Sequence, residues 1–171
     1  MMPTYIALLR AVNVGGTGKL PMADLKAMCI DAGFTAVQTY IASGNVVFQS
    51  KAVEPKVKSE LEQRLRDYAG KAVGVLMRSG PEMAAILQAN PFADKEPNRT
   101  CAIFLDERPP ADALQNVAGQ KDEQVQLGQR EFYVYYPTGM GNSKLRIPAA
   151  KNGTARNMNT IAKLAEIASK L

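Results

Sequence analysis

Strand-like and helix-like stretches alternate through the first half of this sequence, and most are punctuated by proline or glycine. "TYIALLRAV" (residues 4–12) is mostly apolar and reads as a strand. Pro21 suits the first turn of a helix in which Leu25, Met28, Cys29 and Ala32 recur at helical spacing until Gly33 ends it. "VQTYIASGNVVFQS" reads as two strands around a turn at Ser43-Gly44-Asn45. Pro55 opens a second helix with Val57, Leu61, Leu65 and Tyr68 as its buried stripe, Gly70 closes it, and "AVGVLM" supplies a fourth strand. The order is βαββαβ, the ferredoxin-like motif.

A short helix from Pro81 to Gln88 is ended at Asn90-Pro91, because the residue before proline is pushed out of helical geometry. "NPFADKEPNR" then reads as a hinge, and the pattern restarts. "CAIFLD" is a strand, Pro109-Pro110 opens a helix, "EQVQL" and "EFYVYY" are strands joined at Gly128-Gln129, and a polar loop leads into a last helix. In that helix Met158, Ile161, Leu164, Ala165, Ala168 and Leu171 share a face. "PMADL" after the first strand and "PADAL" after the fifth point to a duplication. The expected fold is therefore α+β: two ferredoxin-like (βαββα) halves at residues 1–79 and 100–171, linked by a helix and hinge at 80–99 and packed as one compact unit.

Composition narrows the chemistry more than the fold. The chain has 171 residues, 46% of them hydrophobic, enough for one substantial core or two small ones. It contains no histidine, which removes Ser-His-Asp and Cys-His nucleophile systems, HExxH zinc sites and imidazole acid/base catalysis. Cys29 and Cys101 are far apart and form no CxxC, so neither a disulfide framework nor a thiolate zinc site is indicated, and a reducing cytoplasm fits. No targeting segment is read at the N-terminus, and no apolar run approaches the ~20 residues of a membrane span. Whether a cofactor is used is left open by the sequence.

The net charge of +5 favours acidic partners, and its distribution is uneven. From Pro137 to Ala165 there is no Asp or Glu, while Lys144, Arg146, Lys151, Arg156 and Lys163 fall in that window. "RAVNVGGTGKLP" (residues 10–21) leaves a strand, crosses a glycine cluster and enters a helix, a connection able to aim backbone N–H groups at an anion. It is not a P-loop, since Asn13 and Leu20 stand where Gly and Ser/Thr are needed, and Pro21 breaks a GxGxxG reading. In a βαββαβ sheet the end of the first strand and the turn between strands two and three share an edge. Arg10, Asn13, Gly15, Gly16 and Lys19 are therefore expected near Ser43, Gly44 and Asn45, an inventory of donors suited to an anion. "PTGMGNSKLRIP" adds a second donor-rich loop with Ser143 and Lys144.

In "NGTARNMNT", Thr154, Asn157 or Asn159 can each cap the final helix. Arg156 reads as lying in or beside the first helical turn, where the dipole disfavours a cation and a guanidinium is suited to grip phosphate or carboxylate. The alternative is a salt bridge to Asp106, Glu107 or Asp24. Tyr133 and Tyr135 project to one face of their strand, which leaves base stacking open beside a core role.

These blocks resemble the mainly bacterial "domain of unknown function 1697" family. "TYIALLRAVNVGGTGKLPMADLKAM" is similar to its opening motif, "GFTAVQTYIASGNVVFQS" to its second block, "NPF" to its middle marker, and "SKL" with "TARNMNT" to its closing signature. Met158 stands where members commonly have tryptophan, and Ala11 where glycine is frequent. The resemblance implies a cytoplasmic α+β protein and highlights Arg10, Asn13, Gly15, Gly16, Ser43, Gly44, Asn45, Ser143, Lys144, Arg156 and Asn157. It brings no activity. The expectation is a pocket, built from loops of both halves, for a phosphate-containing small molecule or nucleic-acid backbone. Two alternatives stand beside it, an enzyme acting on a phosphorylated metabolite and a set of purely structural motifs.

Overall fold

The structure, a computed structural model, describes residues 2–10, 19–41 and 44–171. These form two four-stranded antiparallel sheets and four α-helices, an α+β fold. Contacts divide the chain into two compact units, Met1–Ala84 with Lys163–Leu171, and Ala85–Ala162.

The first sheet comprises β1 (Thr4–Leu9), β2 (Thr35–Thr39), β3 (Asn45–Gln49) and β4 (Val75–Ser79), in the order β2-β3-β1-β4. Alternation decides which side chains of β1 face the helices: Tyr5, Ala7 and Leu9 join Val46 and Phe48 of β3 and Val75 and Met77 of β4 in one core. Two helices cover it, α1 (Met22–Asp31) and α2 (Glu54–Ala69). α1 buries Leu25, Met28 and Cys29, while α2 buries Val57, Leu61 and Leu65, one residue per turn, each worth roughly 1.5–3 kcal/mol of apolar burial. Phe34 stacks on Phe48 with ring centroids 4.3 Å apart. Gly70 ends α2 in the left-handed conformation at φ +73°, where a Cβ would be strained.

Tyr68 departs from the expected stripe. It is exposed, and its hydroxyl donates to Asp24 Oδ2 at 2.7 Å; that hydrogen bond is the main reason its pKa is raised. The buried stripe ends one turn earlier at Leu65, so a ring at 68 reaches α1's polar side rather than the sheet.

β4 runs directly into α3 (Gly80–Gln88). The second sheet then repeats the first: β5 (Thr100–Phe104), β6 (Gln124–Leu127), β7 (Glu131–Tyr135) and β8 (Thr154–Asn157) adopt the order β6-β7-β5-β8, and β8 runs into α4 (Met158–Ser169). Two expectations fail here. The helix expected after Pro109-Pro110 is one 3-10 turn, Ala113–Asn116. Only Ala113, Leu114 and Val117 of that stretch pack on the core, too few for a second helical turn before Gly119. "TARN", read as the approach to the last helix, is instead a strand paired with β5 through Ala102↔Arg156 and Phe104↔Thr154. The second half is thus not βαββα: the connections among its four strands carry only 3-10 turns, and its long helix is the counterpart of α3.

Candidate functional site

At the first sheet's edge the end of β1 meets Gly44 and Gly74. The Leu9 N–H donates to the Gly44 carbonyl at 2.8 Å and the Arg10 N–H to that of Gly74 at 2.9 Å, so the end of β1, the β2–β3 turn and the start of β4 adjoin. Arg10 is half-buried, and a Cβ added at Gly74 would lie 3.5 Å from its Cβ. Gly44 has φ +88°, a conformation that favours glycine. Asn45 is fully buried and its Nδ2 donates to the Tyr40 carbonyl at 2.8 Å, so this amide fastens the hairpin. Lys19 is exposed. Asn13, Gly15, Gly16 and Ser43 lie outside the described residues.

Arg156 is corrected. It sits inside β8, two residues before α4 begins, and is only 6% exposed. Its Nη1 donates to Thr154 Oγ1 at 2.7 Å and to the Ala155 carbonyl at 2.9 Å. Burial lowers its pKa to about 10, which still leaves a cation at neutral pH. The first half has its equivalent: Arg78 on β4 is 1% exposed, donates Nη1 to the Met77 carbonyl at 2.7 Å, and also stands two residues before a helix. Helix caps follow both arginines. Asn157 Oδ1 accepts from the Thr160 N–H at 2.9 Å, while Ser79 and Glu82 bond reciprocally as a capping box, at 2.8 and 3.2 Å. The pattern is an internally repeated strand-to-helix junction, with a buried arginine two residues before each helix.

Ser143 is also engaged within the fold. Its hydroxyl donates to Glu123 Oε2, whose other oxygen accepts from the Lys121 N–H at 2.7 Å. These bonds, the Ser143 one first, pull the Glu123 pKa below the usual carboxylate value, so an anion already occupies this donor. Glu123 precedes β6, and Arg156 lies on β8, at the other edge of the sheet. Three strand spacings, about 14 Å, separate them. The faces differ as well: Leu145 and Ile147 pack on the face of Phe132 and Val134, whereas Arg156 lies opposite Ala102, on the face shared with Tyr133. Ser143 and Arg156 therefore do not converge.

The cations beside Ser143 are different. Residues 143–147 are extended, with Leu145 and Ile147 turned to the core and Lys144 and Arg146 exposed. Backbone bonds of 2.9 and 2.8 Å between Ala118 and Arg146 fix the segment. A Cβ at Gly119 would stand 2.0 Å from the Lys144 carbonyl oxygen, so glycine is required for this approach. The cleft lined by Ala118, Gly119 and residues 143–146 measures about 640 Å³. Neither Lys144 nor Arg146 has an ion-pair partner among the described residues. In the sequence Arg146 stands out only as part of the acid-free window; its alternation with Leu145 and Ile147 is the signal that marks it as outward-facing.

Groups suited to bond-breaking are scarce among the described residues. Burial pushes the Cys29 thiol up to about 12 and Cys101 to about 11, so neither is a ready nucleophile. Tyr133 is buried and donates to the Ile86 carbonyl at 2.8 Å, while Tyr135 packs against Phe92 with Lys95 5.7 Å from its ring centroid, so neither offers an open stacking platform. No group of three His, Cys, Asp or Glu residues suited to a metal occurs among the described residues.

Comparison with known proteins adds a lineage. A family model described as "Protein of unknown function (DUF1697)" matches residues 2–133. The chain belongs to this family. The DUF1697 match covers the opening and middle blocks, and the closing blocks at Ser143–Leu145 and Thr154–Thr160 lie beyond it. The fold of this chain is similar to that of the conserved bacterial protein SP0830 from Streptococcus pneumoniae, with TM-score 0.82 and 24% identity over 98% of this chain and 99% of that one. No functionally curated protein matches. No helix among the described residues is long and apolar enough to cross a membrane.

Proposed function

We propose that this DUF1697 protein binds a phosphate-bearing ligand, and that the cations receiving it are Lys144 and Arg146 in the second half. The observation that carries the reading is their arrangement: two exposed cations, without ion-pair partners among the described residues, line one cleft in a stretch from Pro137 to Ala165 that holds no acid. An arginine on a bonded backbone segment is suited to a bidentate grip on phosphate oxygens, and a lysine adds a point charge. Glu123 limits the approach. Its carboxylate, held by Ser143, repels an anion from that end of the cleft and favours the Arg146 end.

The enzyme alternative has less support, because Tyr136 is pushed up to about 12 by burial and both thiols are raised as well. Titration calorimetry with inorganic phosphate, nucleotides and single-stranded RNA tests the proposal on the wild type and on Lys144→Ala/Arg146→Ala. The double variant should weaken binding about tenfold or more, since each charge-assisted hydrogen bond contributes roughly 1.5–3 kcal/mol. If no phosphate compound binds, or the variant binds as the wild type does, the proposal is wrong.

A further inference from the structure

A second cleft of about 370 Å³ shares Leu145 and Arg146 with the first. Its floor is apolar, from Ile103, Leu145 and Ile147, and Lys151 stands with Arg146 among the residues that line it. This size and lining fall in the range of small-molecule sites, which are mostly apolar with a few placed polar groups.

Tyr136 supplies such a polar group. The residue is only 6% exposed, yet it lines this cleft. Its hydroxyl has no hydrogen-bond partner among the described residues. Every side-chain nitrogen or oxygen that is fully buried among those residues does have one, so the Tyr136 hydroxyl is accessible rather than sealed in the core. A tyrosine buried to this extent ordinarily bonds its hydroxyl within the protein, as Tyr133 does to Ile86.

We infer that the ligand is a small phosphate monoester whose body lies in this second cleft, with its phosphate at Arg146 and a neutral acceptor on the body taking the Tyr136 hydroxyl. This rests on the phosphate reading of Arg146 given above. The electrostatic neighbours of Tyr136 are the Cys101 thiol and the Glu123 carboxylate, so the group that meets the hydroxyl is a carbonyl, ring nitrogen or alcohol and not a second anion. Its raised pKa keeps the phenol protonated, and therefore a donor, at every physiological pH. A nucleic-acid backbone offers phosphodiesters with one charge each, whereas a monoester presents a terminal phosphate with nearly two, the better match to a cleft edged by Arg146 and Lys151, and this sets the monoester class apart.

The test compares inorganic phosphate, ribose 5-phosphate and the four nucleoside 5′-monophosphates by titration calorimetry. Wild type, Tyr136→Phe, Ala150→Leu and Lys144→Ala/Arg146→Ala are used, with circular dichroism confirming that each variant folds. At least one monophosphate should bind tighter than inorganic phosphate by tenfold or more. Tyr136→Phe should weaken that ligand by ~3- to 10-fold, the loss of one hydrogen bond, and leave inorganic phosphate unchanged. Ala150→Leu, which narrows the cleft from its rim, should erase the advantage of the monoester. Equal binding of inorganic phosphate and every monoester would overturn the inference while leaving the phosphate site standing. A monoester advantage insensitive to Tyr136→Phe would overturn it too. Absence of any phosphate binding would remove both.

Discussion

Arg156 and Lys144 separate two uses of a cation that the sequence alone does not distinguish. Arg156 is buried and bonded to Thr154 and the Ala155 carbonyl, whereas Lys144 is exposed. Arg156→Ala should therefore destabilise the fold by about 2 kcal/mol, by removing a buried side chain and leaving its part-buried acceptors unpaired, and Lys144→Ala by less than about 0.5 kcal/mol, both read from urea denaturation midpoints. Equal effects would contradict the assignment. Glu123 gives a pH-dependent counterpart. Its folded pKa is lowered, chiefly by the Ser143 hydroxyl, so the stability it contributes is present above the unfolded carboxylate pKa and is lost as pH falls through the folded one. Wild type should exceed Ser143→Ala in melting temperature at pH 7, and the gap should close as pH falls below about 4. A gap that persists unchanged at acid pH would show that the Ser143–Glu123 bond is not its source. The sequence revealed the anion-suited residue types but not these partners, since Ser143 and Glu123 are twenty residues apart and no periodic pattern connects them.

The elements divide by how strongly each is marked locally. α2 was legible because proline, an apolar residue at each turn and a terminal glycine agree on one answer. β8 was not legible. Four residues, "TARN", contain no large apolar side chain and run without a break into α4, so the helical period of α4 swallowed them. Their strand conformation comes from pairing with β5, a non-local cause. This shift of two residues turned Arg156 from a cation opposed by a helix dipole into a strand residue, and Asn157 from one of three possible caps into the one that bonds. Asn157→Ala should cost α4 about 1 kcal/mol, while Asn159→Ala, at an exposed helical position, should be close to neutral, again by denaturation. The reverse ranking would place the cap elsewhere.

For the molecule as a whole, the repeat was legible in the recurring run of strands and in PMADL and PADAL, while the unequal cover of its two sheets was not. The first sheet's core is closed by α1 and α2; the corresponding face of the second is covered by a 3-10 turn at Ala113–Asn116 and the extended segment ending at Ile147. Leu114, Val117, Val125, Leu127 and Leu145 are in consequence only partly buried, whereas Leu25, Leu61, Phe48 and Leu9 are fully so. Fewer buried apolar contacts imply cheaper local opening. Amide hydrogen exchange should find the β1 and β3 amides exchanging only through global unfolding, and those of β6 and residues 113–118 through openings of lower free energy. Phosphate compounds provide the second half of this argument. A ligand gripped by Arg146 bonds to a segment tied to Ala118, so it should slow exchange at 118 and 146 and leave β1 untouched. Uniform protection of both sheets, with or without ligand, would mean that the thin cover of the second has no energetic consequence.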